Sequence, residues 1–231
     1  MKQLTAEAII LSRTDYGEAD RILTVLTPQF GKLRMMARGV RKVKSKLAGG
    51  IELFSVSEIT FIKGRGDIDT LVSTRLVTHY GHIVEDLERT MLAYELIKQL
   101  NRITEDEAEA EYFTLLHQAF VALDDHTISQ TLITVWFSAQ LLRLGGFMPN
   151  LQTDTGGKKL QPEAGYDFSF ESVCFDASSG QGRFTADHVK FLRLLFAGHQ
   201  PRALAAVQGG NKLLPAILPL VTTMRQTYLQ V

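Results

Sequence analysis

The sequence predicts an α+β multidomain chain, an N-terminal all-β barrel followed by a mainly α-helical domain, on three observations. Glycine- and proline-bearing turns cut the first 75 or so residues into five runs rich in β-branched and aliphatic side chains. From about His82 onward the apolar residues recur every three or four positions instead of every second one. Charge is segregated on the same scale: residues 1–80 hold 13 basic and 8 acidic groups, 81–130 hold 3 and 11, and 131–231 hold 9 and 6.

The elements follow in order. Strands are expected over 6–11, 22–26, 32–38, 53–62 and 69–76, separated by Asp15-Tyr16-Gly17, by the turn between Pro28 and Gly31, by Gly49-Gly50 and by Gly64-Arg65-Gly66. In the last of these, glycine supplies positive φ without steric cost, as a hairpin requires. Five strands with a longer excursion between the third and fourth fit a small OB-type barrel or another Greek-key barrel. Next, Ile83, Leu87, Met91, Tyr94, Ile97 and Leu100 form one apolar helical stripe. A second helix is expected over 105–123 with Thr104 as its N-cap, and a third from 127 or 128 to 144, stopped by Gly145-Gly146. The stretch 149–182 is poor in helix signals and holds strand-like pieces at 166–170 and 172–175. Helices are expected again over 185–196, 201–207 and 211–229. The division is therefore 1–80 for the barrel and 81–231 for the helical domain.

Over all 231 residues the 25 basic and 25 acidic groups cancel, which taken whole speaks against a polyanion partner. By segment it does not. From Arg21 to Ile51 there is no acidic residue, and Lys32, Arg34, Arg38, Arg41, Lys42, Lys44 and Lys46 fall within fifteen positions. On a strand, Lys32, Arg34, Met36 and Arg38 share one face while Leu33, Met35 and Ala37 face the barrel interior. The cations read as a floor for a phosphate backbone, with the following loop as a mobile rim; edge protection by lysine needs fewer charges than this. Tyr16, Phe30 and Phe54 are candidates to stack on bases, although phenylalanines beside strands more often fill cores.

Other patterns carry less. A single cysteine, Cys174, excludes an intramolecular disulfide and any zinc site of several thiolates, and reads as a buried structural residue. His79, His82 and Glu85 are spaced by three but lack a fourth metal ligand, and read as an ordinary acidic helix start. Ser172 lies in no nucleophile-elbow pattern, and the glycine pairs lack P-loop spacing. No catalytic constellation is assembled, so an enzyme is not expected, nor a cofactor. Trp136, Phe137, Leu141, Leu142 and Leu144 read as core, while Arg143, Lys190, Arg193 and Arg202 could rim a groove for an acidic peptide. The apolar patch at 8–11 is too short for a signal peptide, and 213–221 is interrupted by Pro215 and Pro219, so a cytoplasmic protein is expected, nucleoid-associated where the basic run meets DNA.

Several pieces together resemble the RecO family of recombination-mediator and DNA-repair proteins. They are Gly17-Glu18, Asp20-Arg21-Ile22-Leu23-Thr24, Thr27, Gly31-Lys32, then Ala37-Arg38-Gly39-Val40-Arg41, Lys44-Ser45 and Leu53-Phe54. Gly64-Arg65-Gly66-Asp67 and the segment Leu144-Gly145-Gly146-Phe147, Pro149, Leu151 extend the likeness along nearly the whole chain. The resemblance implies an OB-fold followed by a helical domain with a small zinc-finger-like insertion, here 147–183. It also implies binding of single- and double-stranded DNA, annealing of complementary strands, and partnership with RecR and single-strand-binding protein to load RecA. It assigns DNA contact to Lys32 through Lys46.

One departure stands out. Where many members carry two Cys-x-x-Cys pairs, this chain has Leu151-Gln152-Thr153-Asp154-Thr155-Gly156-Gly157 and then Cys174-Phe175-Asp176-Ala177. One thiolate cannot build a tetrahedral site. A degenerate insertion without zinc is expected, stabilised by packing around Phe168, Phe170 and Phe175. Two other functions fit the residues alone: a protein-interaction adaptor that touches DNA weakly, and an RNA-binding OB-fold protein.

Overall fold

Alternation in the first eighty residues folds into five strands: β1 (Gln3–Tyr16), β2 (Asp20–Thr27), β3 (Gly31–Ala37), β4 (Ser55–Ile62) and β5 (Asp69–His79). The structure is a computed structural model, described here for residues 2–104, 109–161, 164–178 and 182–231. β1 is long enough to pair antiparallel with β4 along its first half and with β2 along its second, with a bulge between Ile10 and Ser12. β2 pairs with β3 and β4 with β5, both antiparallel. A short parallel contact of Met35 and Met36 with Asp69 and Thr70 closes the ring in the order β1-β2-β3-β5-β4. This fits the OB-type barrel expected from the sequence.

Every second residue fills the interior. Ala6, Ala8 and Ile10 of β1, Leu23 and Val25 of β2, Leu33, Met35 and Ala37 of β3, and Ile59 and Phe61 of β4 form one buried cluster. Each large aliphatic side chain removed from water contributes about 1.5–3 kcal/mol. A second apolar row lies on the outside. Register places Val56 opposite Ile9, Ile9 opposite Leu26, and Leu26 opposite Lys32. Val56, Ile9 and Leu26 are as buried as the interior although they are outside its cluster. Helices cover them: α1 (Leu87–Ile103) lies beside β1, and α2 (Ala110–Asp124) beside β2. Phe54 packs edge-on to Tyr94 of α1 and Phe120 of α2, with ring centroids 5.1 and 5.8 Å away, and Tyr80 sits 5.8 Å from Phe120.

The chain divides into two compact units, Met1–Asp125 and His126–Val231, so α1 and α2 belong with the strands. Two expectations in this stretch are corrected. The buried face of α1 is Arg89, Ala93, Leu96, Ile97, Gln99 and Leu100, whereas Leu87, Met91 and Tyr94 of the expected stripe are exposed. Thr104 does not open the second helix. Its hydroxyl donates to Leu100 O at 2.9 Å, and it closes α1, while α2 begins after Glu109. The expected start at Glu105 lies outside the described residues.

The second unit is built on α3 (Gln130–Leu144), α4 (Ala186–Phe196), α5 (Pro201–Ala205) and α6 (Gly210–Tyr228), with α3 packed against α4 and α6. Ser129 caps α3 by accepting from Leu132 N, and Gly146, at φ 81, turns the chain at its end. Trp136, Phe137, Leu141 and Leu142 are buried, and the Trp136 indole N–H donates to His199 O at 2.9 Å. Between α3 and α4, β6 (Asn150–Asp154), β7 (Tyr166–Ser169) and β8 (Cys174–Ala177) form a small sheet in the order β6-β8-β7. Aromatic rings hold it: Phe168 lies 5.1 Å from both Phe170 and Phe175, and Phe175 lies 5.4 Å from Phe184. Cys174 is buried among them, and burial raises its thiol pKa. No helix among the described residues is long and apolar enough to cross a membrane.

Candidate nucleic-acid interface

β3 carries the first half of the basic run with strict alternation. Leu33, Met35 and Ala37 are buried, Arg34 is exposed, and Lys32 and Met36 are half-buried on the outer face. The two cations of the strand differ in surroundings. Lys32 ends the covered row, and its ammonium donates to Asn101 O at 3.2 Å and Thr104 O at 2.5 Å, the last carbonyls of α1. A cation there complements the negative end of the helix and satisfies acceptors that have no partner within it. Arg34, two residues on, is exposed and has no such partner among the described residues.

Beyond Ala37 the chain leaves the barrel through two successive turns. In the first, Lys42 N donates to Gly39 O at 3.1 Å, and Gly39 takes φ 64, a left-handed conformation that only glycine adopts readily. That turn is pinned from several directions. Val40 is buried in the barrel core, Asp20 accepts from Gly39 N at 2.7 Å, and Arg41 N donates to Ala19 O at 2.9 Å. The Arg41 side chain lies 3.6 Å from Asp15 and reaches Gly17 O at 3.4 Å. Arg21 donates to the same Asp15 carboxylate at 2.8 Å, and this hydrogen bond, aided by the charges of Arg41, Arg21 and Arg13, lowers the Asp15 pKa.

The second turn is closed by Ser45 N donating to Lys42 O at 2.9 Å, with Val43 and Lys44 at its corners. The chain then returns to the barrel. Leu47 packs on the core, its N–H donates to Ser45 Oγ, and its carbonyl accepts from Thr74 Oγ1 at 3.1 Å. Gly50 passes so close to Thr74 that a Cβ would collide with that side chain.

The seven cations nominated by sequence thus divide. Lys32 is committed to α1 and Arg41 to the β1–β2 hairpin. Arg34, Arg38, Lys42, Lys44 and Lys46 are exposed, and among the described residues none has a side-chain hydrogen bond or ion pair. Elsewhere in the same unit Arg13, Lys63 and Arg75 each meet a carboxylate, Glu52, Asp69 and Glu58 respectively, at 3.2–3.4 Å. The loop after β3 is therefore a local excess of positive charge, with four cations exposed and unpaired between Arg38 and Lys46.

A cleft of about 290 Å³ opens beside Arg34, between β3 and the β4–β5 loop, with Phe30, Lys63, Gly64 and Asp67 in its walls. Asp69 shapes that loop by accepting from Gly64 N at 2.9 Å. Exposed Arg65 at its tip is a further cation not among the seven nominated; a cation between two glycines was the available signal. The aromatic candidates fare unequally. Phe54 is buried, Phe30 packs edge-on to Phe61 at 5.5 Å, and Tyr16 alone is exposed.

In the second unit, Arg193 donates to Leu151 O at 2.9 Å, Arg143 to Gln140 at 2.8 Å, and Lys190 pairs with Asp187 at 3.1 Å. None of these, nor Arg202, lines the cleft of about 320 Å³ walled by Phe168, Phe170, Pro215 and Pro219. His82 pairs with Asp124 at 3.3 Å, and no group of three His, Cys, Asp or Glu side chains suited to a metal ion occurs among the described residues.

Residues 1–80 match the family model described as recombination protein O, N-terminal, and residues 84–231 the corresponding C-terminal model. A DNA repair protein RecO of Dehalococcoides mccartyi is 34% identical over 195 residues, covering 81% of this chain and 76% of that protein. The protein of that name from Halalkalibacterium halodurans is 27% identical over 196 residues, covering 83% and 76%. One from Roseiflexus is 42% identical over 103 residues, covering 45% and 36%.

Proposed function

Because the chain belongs to the RecO family of DNA repair proteins, we propose that it is a non-enzymatic recombination mediator whose barrel binds single- and double-stranded DNA. In this reading residues 1–80 form the DNA-binding barrel, and the helices of 81–231, of which α1 and α2 are packed with the barrel's unit, serve protein partners. The function is to anneal complementary strands and, with RecR and single-strand-binding protein, to help load RecA. The small aromatic-cored sheet stands where family members carry a zinc finger, and works without the metal.

The observation that carries the proposal is the set of unpaired cations on β3 and the following loop. Arg34, Arg38, Lys42, Lys44 and Lys46 reach solvent with no carboxylate to neutralise them. Such a surface holds phosphates by releasing condensed counterions, which makes binding steeply salt-dependent and weakly sequence-selective. Lys32 and Arg41 serve the site indirectly, by fixing the strand to α1 and the loop to the β1–β2 hairpin.

Five phosphate contacts imply a single-strand salt slope of about −3.5, a roughly hundredfold loss of affinity between 50 and 200 mM salt. The test is titration of fluorescent single strands at several salt concentrations, with strand annealing followed in parallel. Little binding even at 50 mM salt would replace the mediator by a protein-interaction adaptor. Strong preference for an RNA competitor would replace it by an RNA-binding barrel.

A further inference from the structure

Val43 breaks two rules of local structure at once. It is a β-branched residue at the corner of a tight turn, where glycine, proline, asparagine and aspartate are the usual occupants. It is also fully exposed, at 103% of its reference accessibility, between Lys42 and Lys44. Scattered exposed apolar side chains need no explanation. This one is held out by construction. The turn is closed by the Ser45–Lys42 hydrogen bond, pinned on one side by Val40 and Arg41, and on the other by Leu47. A residue that violates local preference while its surroundings are well fixed marks a functional position.

We infer that Val43 is an apolar contact for the face of an unstacked base in a bound single strand, with Lys42 and Lys44 on the neighbouring phosphates. This rests on the DNA-binding reading above and adds to it a way of telling strand states apart. The cations grip phosphates in either form of DNA. In a single strand the base faces are already partly open, so burying the valine against one displaces only weak, fluctuating stacking. In a duplex the same contact requires opening a base step, and that costs more than burial of one small side chain returns. Val43 therefore favours the single strand, and its contact is given up when complementary bases pair and stack, which loosens the loop's hold on annealed product.

The experiment compares wild type, V43T and V43A on fluorescent single strands and duplexes of equal length, at 50 and 200 mM salt. Both variants keep the loop's charge, and a fully exposed position leaves folding unaffected; V43T also keeps the side-chain shape. The expected result is a loss of single-strand affinity of about tenfold in V43A. V43T should lose a comparable amount, with the salt slope and duplex affinity unchanged in both. A 2-aminopurine base in the single strand should report altered stacking with wild type and not with V43T. Equal single-strand affinity in all three proteins, or an equal loss on duplex, overturns the inference while leaving DNA binding intact. A wild-type protein that binds neither form at 50 mM salt overturns both.

Discussion

The two flanks of the barrel's outer surface are built from the same strands and do opposite work. On one, Val56, Ile9, Leu26 and Lys32 lie in register beneath α1 and α2, and even the lysine is spent on the carbonyls that end α1. On the other, Arg34 and the loop after β3 meet solvent without a counter-charge. Two residues along one strand separate a cation that holds the fold together from one that is available to a ligand. Counting charges cannot make that distinction; knowing what lies across the register can.

The comparison breaks most visibly on the open flank. Reversing three of its cations, as in R34E/R38E/K44E, should abolish the salt slope together with most single-strand affinity, a loss exceeding the roughly hundredfold range that salt itself spans in the wild type. Circular dichroism and urea midpoint should stay unchanged, since none of the three holds a partner in the fold. An unchanged slope would place the DNA elsewhere.

On the covered flank the readout is stability. Tyr80 is buried, its hydroxyl has no hydrogen-bond partner among the described residues, and burial, assisted by the charges of Asp124 and Glu7, pushes its pKa up to about 12. The folded form thus holds the phenolic proton more tightly than the unfolded chain, whose tyrosine titrates near 10. Stability is complete below pH 10, and about 2–3 kcal/mol is lost as pH rises from 10 to 12. Y80F should remove this alkaline component and cost little at neutral pH, because no hydrogen bond is broken. Urea unfolding of both proteins at pH 8 and pH 11 measures it.

Lys32 tests the contrast most directly. K32M keeps the aliphatic stem and deletes the ammonium that two carbonyls of α1 receive. Hydrogen bonds from a charged donor contribute about 1.5–3 kcal/mol, and that loss should appear in the urea midpoint. The salt slope of DNA binding should not move. A shallower slope with unchanged stability would return Lys32 to the phosphate-binding set.

How much of this was readable beforehand depended on whether neighbours in sequence or neighbours in space decide the outcome. Alternation placed Leu33, Met35 and Ala37 inside and Arg34 outside, because a strand's own pleat decides that. The acid-free run likewise announced the loop. The fate of Lys32 was hidden, since its partners Asn101 and Thr104 lie about seventy positions away on another element. The stripe on α1 failed for a related reason. Leu87-Met91-Tyr94 and Ala93-Leu96-Leu100 both satisfy helical spacing, and only the barrel beneath chooses between them. Thr104 was ambiguous because a threonine hydroxyl can accept at a helix start or donate back to a carbonyl at a helix end. The aromatic packing of the small sheet was legible in part: Phe168 and Phe175 face each other across β7 and β8, while Phe170, just past β7, touches Phe168 from an exposed position.

Of the committed cations, Arg41 shares its carboxylate, Asp15, with Arg21 of β2. They flank the loop and share one carboxylate, which offsets half of their charge and is kept ionised by the same hydrogen bond that ties it to Arg21. D15N removes that charge while preserving shape and some hydrogen bonding. If the arginines then join the phosphate contacts, the single-strand slope should steepen by up to about 0.7 for each, and affinity at 50 mM salt should rise. The fold should lose little, because an ion pair this exposed is screened by solvent and contributes little to stability. An unchanged slope would put Arg21 and Arg41 off the path of the strand, and the bound backbone would then follow β3 and the far side of the loop, away from the β1–β2 hairpin. The size of this small shift therefore locates one edge of the interface.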